Sequence, residues 1–106
     1  MIEIKDISKA ENVVFMRMTE GERILCEAWA EIDRENDTAK IIDIKEHENG
    51  FSYDMGKALL NALDLKKIKK VVCENEALES TLLRLRFKKE FCAYLLSLDG
   101  YFMSNC

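Results

Sequence analysis

Hydrophobic and polar residues alternate over the first third of the chain, and this period of two is the pattern of β-strands. Ile2 and Ile4 predict a short first strand. Residues 12–19 and 22–32 predict the two arms of an antiparallel hairpin, because Gly21 lies between them and glycine readily adopts the positive φ of a tight turn. The N-terminal part of the chain therefore predicts antiparallel strands.

The next segment predicts a strand followed by a helix. Residues 39–47 form the strand, and the adjacent apolar residues Ile41 and Ile42 are typical of a central strand that is covered on both faces. From Asp54 the apolar period changes to 3.6, which predicts a helix that ends near Leu65.

The C-terminal part adds a strand, a helix and a strand-forming tail. Residues 69–74 are β-branched at their centre and predict a strand parallel to strand 39–47, reached by a right-handed crossover. Residues 75–85 predict a helix opened by Asn75, and residues 89–103 predict one or two strands. The element order β-β-β-β-α-β-α-β(-β) predicts an α/β (α+β) fold, with a mixed, mostly antiparallel sheet and flanking helices.

Length and charge restrict the class of protein. The chain has 106 residues, of which 48% are hydrophobic and 34% charged, so we expect one globular domain over residues 1–106. The net charge of -4 argues against binding to nucleic acid or to an anionic membrane surface. The first ten residues lack the apolar run of a secretory signal, and no segment is long enough to span a membrane, so we expect a cytoplasmic protein. A core this small makes a homodimer a reasonable expectation.

The four cysteines do not form a metal-binding pattern. They include no C-x-x-C pair, and the chain has one histidine to join them. We therefore expect no metal site, and we expect the cysteines to be reduced and mostly buried.

The turn between strand 39–47 and the first helix is the candidate ligand site. A helix N-terminus presents unpaired N–H groups and the positive end of a dipole, which favours phosphate binding. The sequence N-G-F-S-Y-D-M-G-K, residues 49–57, has this position. An ordinary solvated connection is the alternative interpretation. The chain contains neither G-x-G-x-x-G nor G-x-x-x-x-G-K-[ST], so nucleotide binding of those two kinds is not supported.

At this turn the sequence D-I-K-E-H-E-N-G-F-S-Y-D-M-G-K-A-L-L, residues 43–60, resembles the central motif of the GNAT superfamily of acyl-CoA N-acyltransferases. In that family the turn [RQ]-x-x-G-x-[GA] binds the pyrophosphate of acetyl-CoA through backbone amides. Asp54 stands here at the first glycine of the motif. The resemblance implies acetyl-CoA or another acyl-CoA as cofactor, an amine as acceptor, and these cofactor-binding residues: Ile44, Glu46, Phe51, Ser52, Tyr53, Asp54, Met55, Gly56, Lys57 and Asn75.

A second stretch resembles the last helix of that family, N-x-x-A-x-x-L-Y-x-x-x-G-F. Asn75 and Phe87 match this pattern. Leu82 stands at the position of the tyrosine that often protonates the leaving thiolate, and Arg86 at the position of the glycine. The segment between the first and second strands is shorter than in that family, because only about residues 6–11 are available where the family has two helices.

An N-acyltransfer needs a general base for the amine and a proton donor for the thiolate. The candidate bases are Glu46 and His47 at the end of strand 39–47, and Glu27 or Glu31 on the neighbouring strand; we favour Glu46, with surface charges as the alternative interpretation. The donor could be Tyr53, Tyr94, Tyr101 or water.

Two hypotheses about function follow from the resemblance. The first is an acetyl-CoA-dependent N-acetyltransferase of the GNAT type that transfers the acyl group directly to an amine. The second is a catalytically inactive module of the same fold that binds coenzyme A or a protein partner.

Overall fold

A computed structural model describes residues 1–102, and in this range it contains a seven-stranded sheet and two α-helices. A 3₁₀ turn, Glu76–Leu78, leads directly into the second helix. The elements are β1 (Ile2–Asp6), β2 (Val13–Glu20), β3 (Arg23–Asp33), β4 (Thr38–Glu46), α1 (Ser52–Leu65), β5 (Lys70–Cys73), α2 (Glu79–Arg84), β6 (Lys88–Glu90) and β7 (Ala93–Ser97).

The strands lie in the order β1-β2-β3-β4-β5-β7-β6. Strands β4 and β5 are parallel and are connected through α1, whereas every other neighbouring pair is antiparallel. The mixed, mostly antiparallel sheet with flanking helices is therefore confirmed, and so is the hairpin around Gly21, whose φ is +62°.

The core lies between one face of the sheet and α1, which contacts β2, β3 and β4. Even-numbered residues of β3 from Cys26 to Ile32 are buried, whereas Glu27, Trp29 and Glu31 lie on the opposite face. The period-two prediction for this strand is confirmed. Trp29 packs against Phe15 of β2 on that opposite face, with ring centroids 5.6 Å apart.

The expectation that β4 is covered on both faces is wrong. The pairing with β3 contains a bulge, because Ala30 lies opposite Ile41 and Trp29 lies opposite Asp43. The extra residue, Ile42, shifts the alternation, so Ile41 and Ile44 both face the core with two half-buried residues between them. The apolar run of β4 thus reflects a bulge rather than burial on two sides.

Both helices differ from their predicted starts. Helix α1 begins at Ser52, two residues before Asp54, because a side chain from β4 binds the amides of the preceding turn. The predicted helix 75–85 is a 3₁₀ turn followed by α2, because the Asn75 side chain accepts the amide of Ala77 and so tightens the first turn.

The tail forms the β6–β7 hairpin, which confirms the prediction of strands there. Asp99 and Gly100 follow in a turn, with φ +72° at Gly100. The predicted end of this segment, Met103, and the last cysteine, Cys106, lie outside the described residues.

Candidate functional site

Strands β4 and β5 separate at the point where the candidate site begins. Their pairing runs from Thr38–Lys70 to Ile41–Cys73. Beyond it, residues 42–46 of β4 continue to pair with β3 but have no strand on their other side within residues 1–102. The bulge at Ile42 falls where this separation starts. Because ligands of sheets with parallel strands bind beside the carboxyl ends of those strands, this opening is the natural place for one.

A side-chain contact spans the opening. The Asn75 amide, which follows β5, lies 3.4 Å from Oδ1 of Asp43 on β4. The same Asp43 oxygen accepts the backbone amide of Ile44 at 2.9 Å. Asn75 thus lies beside β4, and its cofactor-binding role stays a prediction, whereas Asp43 was not predicted as a site residue.

Glu46 binds the turn that leads into α1. Its Oε2 accepts the backbone amides of Gly50 at 2.8 Å, Phe51 at 2.9 Å and Ser52 at 3.1 Å. Three amides that converge on one carboxylate oxygen form an anion-binding turn, in which Gly50 has φ +99°. The predicted base is therefore, in this structure, the internal anion of the predicted phosphate site.

The predicted residues further along α1 face the core, or their backbone amides already form hydrogen bonds within the helix. Met55 and Gly56 are fully buried or nearly so, and the Met55 amide already donates to the carbonyl of Phe51 at 2.9 Å. A Cβ built on Gly56 would lie 2.6 Å from Cδ1 of Leu85. Gly56 therefore allows α1 to approach the end of α2 closely. Ile44 is also buried.

Side chains of the first turns of α1 join it to the C-terminal part of the chain. The hydroxyl of Ser52 lies 2.7 Å from that of Thr81 in α2. The Arg84 guanidinium lies 4.5 Å from the ring centroid of Tyr53, and the Lys57 ammonium lies 4.7 Å from that of Tyr101. Lys57 and Arg84 thus pack on aromatic rings. Asp54 is exposed in the first turn.

A second cluster of charged groups lies beside the end of β4. Oε1 of Glu27 is 2.8 Å from Nε2 of His47, and Oε2 of Glu27 is 2.9 Å from the Arg17 guanidinium. Partial burial favours the neutral carboxyl, but the hydrogen bonds from His47 and Arg17 outweigh it and lower the pKa of Glu27. Two of the candidate bases are therefore paired with each other. Glu31 is exposed on the same strand.

The candidate proton donors are in different surroundings. Leu82 is fully buried in α2. The hydroxyl of Tyr94 donates to Oε2 of Glu79, which also binds the Lys89 ammonium at 3.1 Å. The hydroxyl of Tyr101 donates to the carbonyl of Leu85 at 2.9 Å. Among the three tyrosines, Tyr94 and Tyr101 therefore already use their protons within the protein.

Comparison with solved structures identifies the fold family. The chain resembles the ribosomal-protein-S18-alanine N-acetyltransferase of Escherichia coli, with a TM-score of 0.77 and 11% identity over 92% of this chain and 94% of that one. It also resembles a protein from Desulfovibrio desulfuricans described as an acetyltransferase of the GNAT family, with a TM-score of 0.73 and 13% identity over 81% and 69% of the two chains. The chain has the GNAT fold.

A third GNAT-like structure is an acetyltransferase from Bacillus subtilis in complex with CoA. It has a TM-score of 0.73 and 11% identity over 92% of this chain and 97% of that one. The sequence itself matches no protein-family model and no curated protein. The GNAT resemblance of the sequence is thus confirmed for the fold, whereas the roles of single residues stay predictions.

Two other properties of the described part bear on function. Neither helix in residues 1–102 is long and apolar enough to cross a membrane. In the same range, no three histidine, cysteine, aspartate or glutamate side chains come together in a way that could hold a metal ion.

Proposed function

We propose that this GNAT-fold protein binds acetyl-CoA, or another acyl-CoA, in the opening between β4 and β5 and transfers the acyl group to an amine. The observation that supports the proposal best is the convergence of three amides on the oxygen of Glu46. The turn before α1 holds a carboxylate oxygen through these amides, and a pyrophosphate oxygen would need donors of the same kind. We expect the protein to act in the cytoplasm, with acyl-CoA as its ligand.

Binding requires Glu46 to leave the turn. A carboxylate and a phosphate oxygen cannot share the same three amides, and their like charges repel at short range. The ligand therefore competes with Glu46, and the exposed Asp54 in the first turn adds to the repulsion. The amides of Ser52 and the next residues of α1 would hold the pyrophosphate. Asn75 and the free edge of β4 near Ile44 would position the acyl arm. Lys57 would have to leave the ring of Tyr101 to reach a phosphate.

The displaced carboxylate has a chemical use. The thioester supplies an acyl group that is activated toward an amine. Once Glu46 has left the amides it is a solvated carboxylate at the end of β4, where it can accept the proton that the amine loses. Occupation of the turn would thus convert Glu46 from a helix cap into the general base. Tyr53 or water protonates the thiolate in this scheme, because Leu82 cannot and the other two tyrosines already donate within the protein.

The decisive experiment compares the wild type with Glu46→Gln and with the control Glu48→Gln. Glu48 carries the same charge two residues away but binds Arg23 instead of the amides. Calorimetry and thermal denaturation with coenzyme A measure binding, and an amine panel with acetyl-CoA measures turnover. We expect Glu46→Gln to bind coenzyme A several-fold more tightly and to lose turnover, and Glu48→Gln to behave as the wild type.

The size of the thermal effect makes a negative result meaningful. A ligand at about 100 times its dissociation constant stabilises the folded state by about 2.7 kcal/mol, which is roughly 10 °C or more in a domain of this size. If neither the wild type nor Glu46→Gln gains melting temperature at millimolar coenzyme A, the site assignment is wrong.

A second function is favoured by the same contacts. If Glu46 leaves the amides but does not act as a base, the GNAT fold serves as a catalytically inactive module that binds coenzyme A; if Glu46 never leaves them, the module binds a protein partner instead. Leu82 at the usual acid position and the short β1–β2 connection agree with this reading. Coenzyme A binding by Glu46→Gln without turnover by either protein would support it.

A further inference from the structure

Among residues 1–102, the first strand is an edge of the sheet and has no neighbouring strand along one side. Strand β1 pairs with β2, and all five of its residues are exposed. Two of them are isoleucines, Ile2 at 45% and Ile4 at 38% exposure. An exposed edge strand presents unpaired N–H and C=O groups to another strand, and apolar side chains increase that tendency.

The direction of the free groups follows from the β1–β2 ladder. The amide of Ile7 donates to the carbonyl of Phe15 at 2.7 Å, so Ile7 directs its N–H toward β2, while the Phe15 amide donates to the Ser8 hydroxyl at 2.8 Å. Because hydrogen-bonded pairs alternate in an antiparallel ladder, Lys5 and Glu3 also direct their peptide groups toward β2. The peptide groups of Ile2, Ile4 and Asp6 therefore point outward.

This edge is complementary to a second copy of itself in one register. We propose that two copies pair antiparallel through β1 about a two-fold axis at Ile4. Ile4 then faces Ile4 of the second copy, and Ile2 of each copy faces Asp6 of the other, which gives three facing pairs. All three facing pairs use outward peptide groups, so each exchanges two N–H···O bonds.

Charge selects this register over its neighbours. With the axis at Ile4, Glu3 lies directly opposite Lys5 of the second copy, twice in the dimer. Moving the axis by one residue puts Glu3 opposite Glu3 or Lys5 opposite Lys5, which places like charges across the strands and is destabilising. Ile4 is the cross-strand neighbour of buried Met18, so the pairing also extends the apolar layer across the axis.

The first test removes a hydrogen bond donor on the outer edge. Ile4→Pro deletes an outward amide while leaving the bonds to β2 in place, and proline is tolerated on edge strands in that orientation. We expect a wild-type dimer in sedimentation velocity and a dissociation constant at least about tenfold weaker for Ile4→Pro. In the matched control Lys5→Pro, the missing amide faces β2, so we expect a lower melting temperature.

The second test uses charge and remains decisive even if a proline variant fails to fold. Glu3→Lys and Lys5→Glu should each dimerise several-fold more weakly than the wild type, because like charges then face each other. Mixing the two variants should restore pairing as a heterodimer, since each then faces its opposite charge. Within a chain Lys5 lies 3.3 Å from Glu3, and mixing cannot repair that internal pair, so recovery reports on the contact between copies.

A wild type that is monomeric at roughly 0.5 mM, a concentration that detects weak association, would overturn the proposal. A dimer that is unchanged in all of these variants would also overturn it, because another surface would then hold the copies together.

Discussion

Both helices end in a residue that is forced into the left-handed region, and replacing it with glycine should stabilise the protein. At the end of α1, Lys67 has φ +68°, and at the end of α2, Arg86 has φ +75°. The following amide of Phe87 donates to the carbonyl of Leu82 at 3.0 Å, and that of Arg86 donates to Leu83 at 3.0 Å. These two bonds define the Schellman motif, in which glycine is the preferred residue. The corresponding bonds close α1 in the same way.

The expected gain is the difference between two backbone terms. A residue with a Cβ pays about 1–2 kcal/mol in the left-handed conformation. Glycine avoids that cost but loses about 0.5–1 kcal/mol more than other residues through its freedom in the unfolded chain. Within residues 1–102, Arg86 makes no ion pair whose loss would count against the gain, since the ion pair at this end of the chain joins Lys89 to Glu79. The net gain for Arg86→Gly or Lys67→Gly should be about 0.5–1 kcal/mol.

Urea denaturation measures this gain directly. We expect each variant to raise the midpoint at an unchanged slope, and to raise the melting temperature by about 2–8 °C. Arg84→Gly is the control, because it places glycine at the last helical residue of α2 and also removes the contact with Tyr53, so it should lower stability by about 1 kcal/mol. If Lys67→Gly and Arg86→Gly both destabilise the protein, the left-handed conformation does not carry the cost assigned to it.

Three further predictions concern charge, thiols and packing. Because the pKa of Glu27 is lowered on folding from 4.5, its contribution to stability is present above that pH and is lost as pH falls through the folded value, so the stability gap to Glu27→Gln should narrow as the pH falls below 4.5; a gap that is constant with pH would contradict this. Iodoacetamide with peptide mapping should modify exposed Cys92 quickly and spare Cys26, whose pKa is raised to about 11 by burial and by the nearby carboxylate; equal labelling would be the contrary result. Gly56→Ala and Leu85→Ala should be coupled in unfolding experiments, with the double variant more stable than the two single effects predict, whereas additive effects would show that the helices do not meet there.

The fold was predictable because its signals are periodic. Alternation along β3 places Trp29 and Glu27 on one face without knowledge of any partner, and the 3.6 period of α1 identifies its buried stripe. The bulge at Ile42 was not predictable in this way, because it appears only as a change of register in the pairing of β4 with β3. Adjacent isoleucines have the same appearance in a strand buried on both faces, so the pattern led to the wrong interpretation.

The site was predictable in position but less so in detail. The turn before α1 was found from its residues, and Glu46 was singled out on the strand. That Glu46 binds the amides of that same turn depends on a side chain that reaches forward to residues 50–52, which a linear pattern does not encode. Asp43 was missed for a similar reason, because it meets Asn75 across two strands that are far apart in sequence.

The sheet consists of two antiparallel units, β1–β4 and β5–β7, that are joined by four residue pairs of β4 and β5. Within each unit, strands that pair are neighbours in sequence, except that β5 pairs with β7 rather than with β6. The junction of β4 and β5 can form only after α1 has crossed over the sheet. The junction is therefore a short seam between two units that can form separately, and amide hydrogens of Val71 and Val72 should exchange with solvent sooner than those in the middle of β3. A molecule that enters between the strands would act on the joint between the two units.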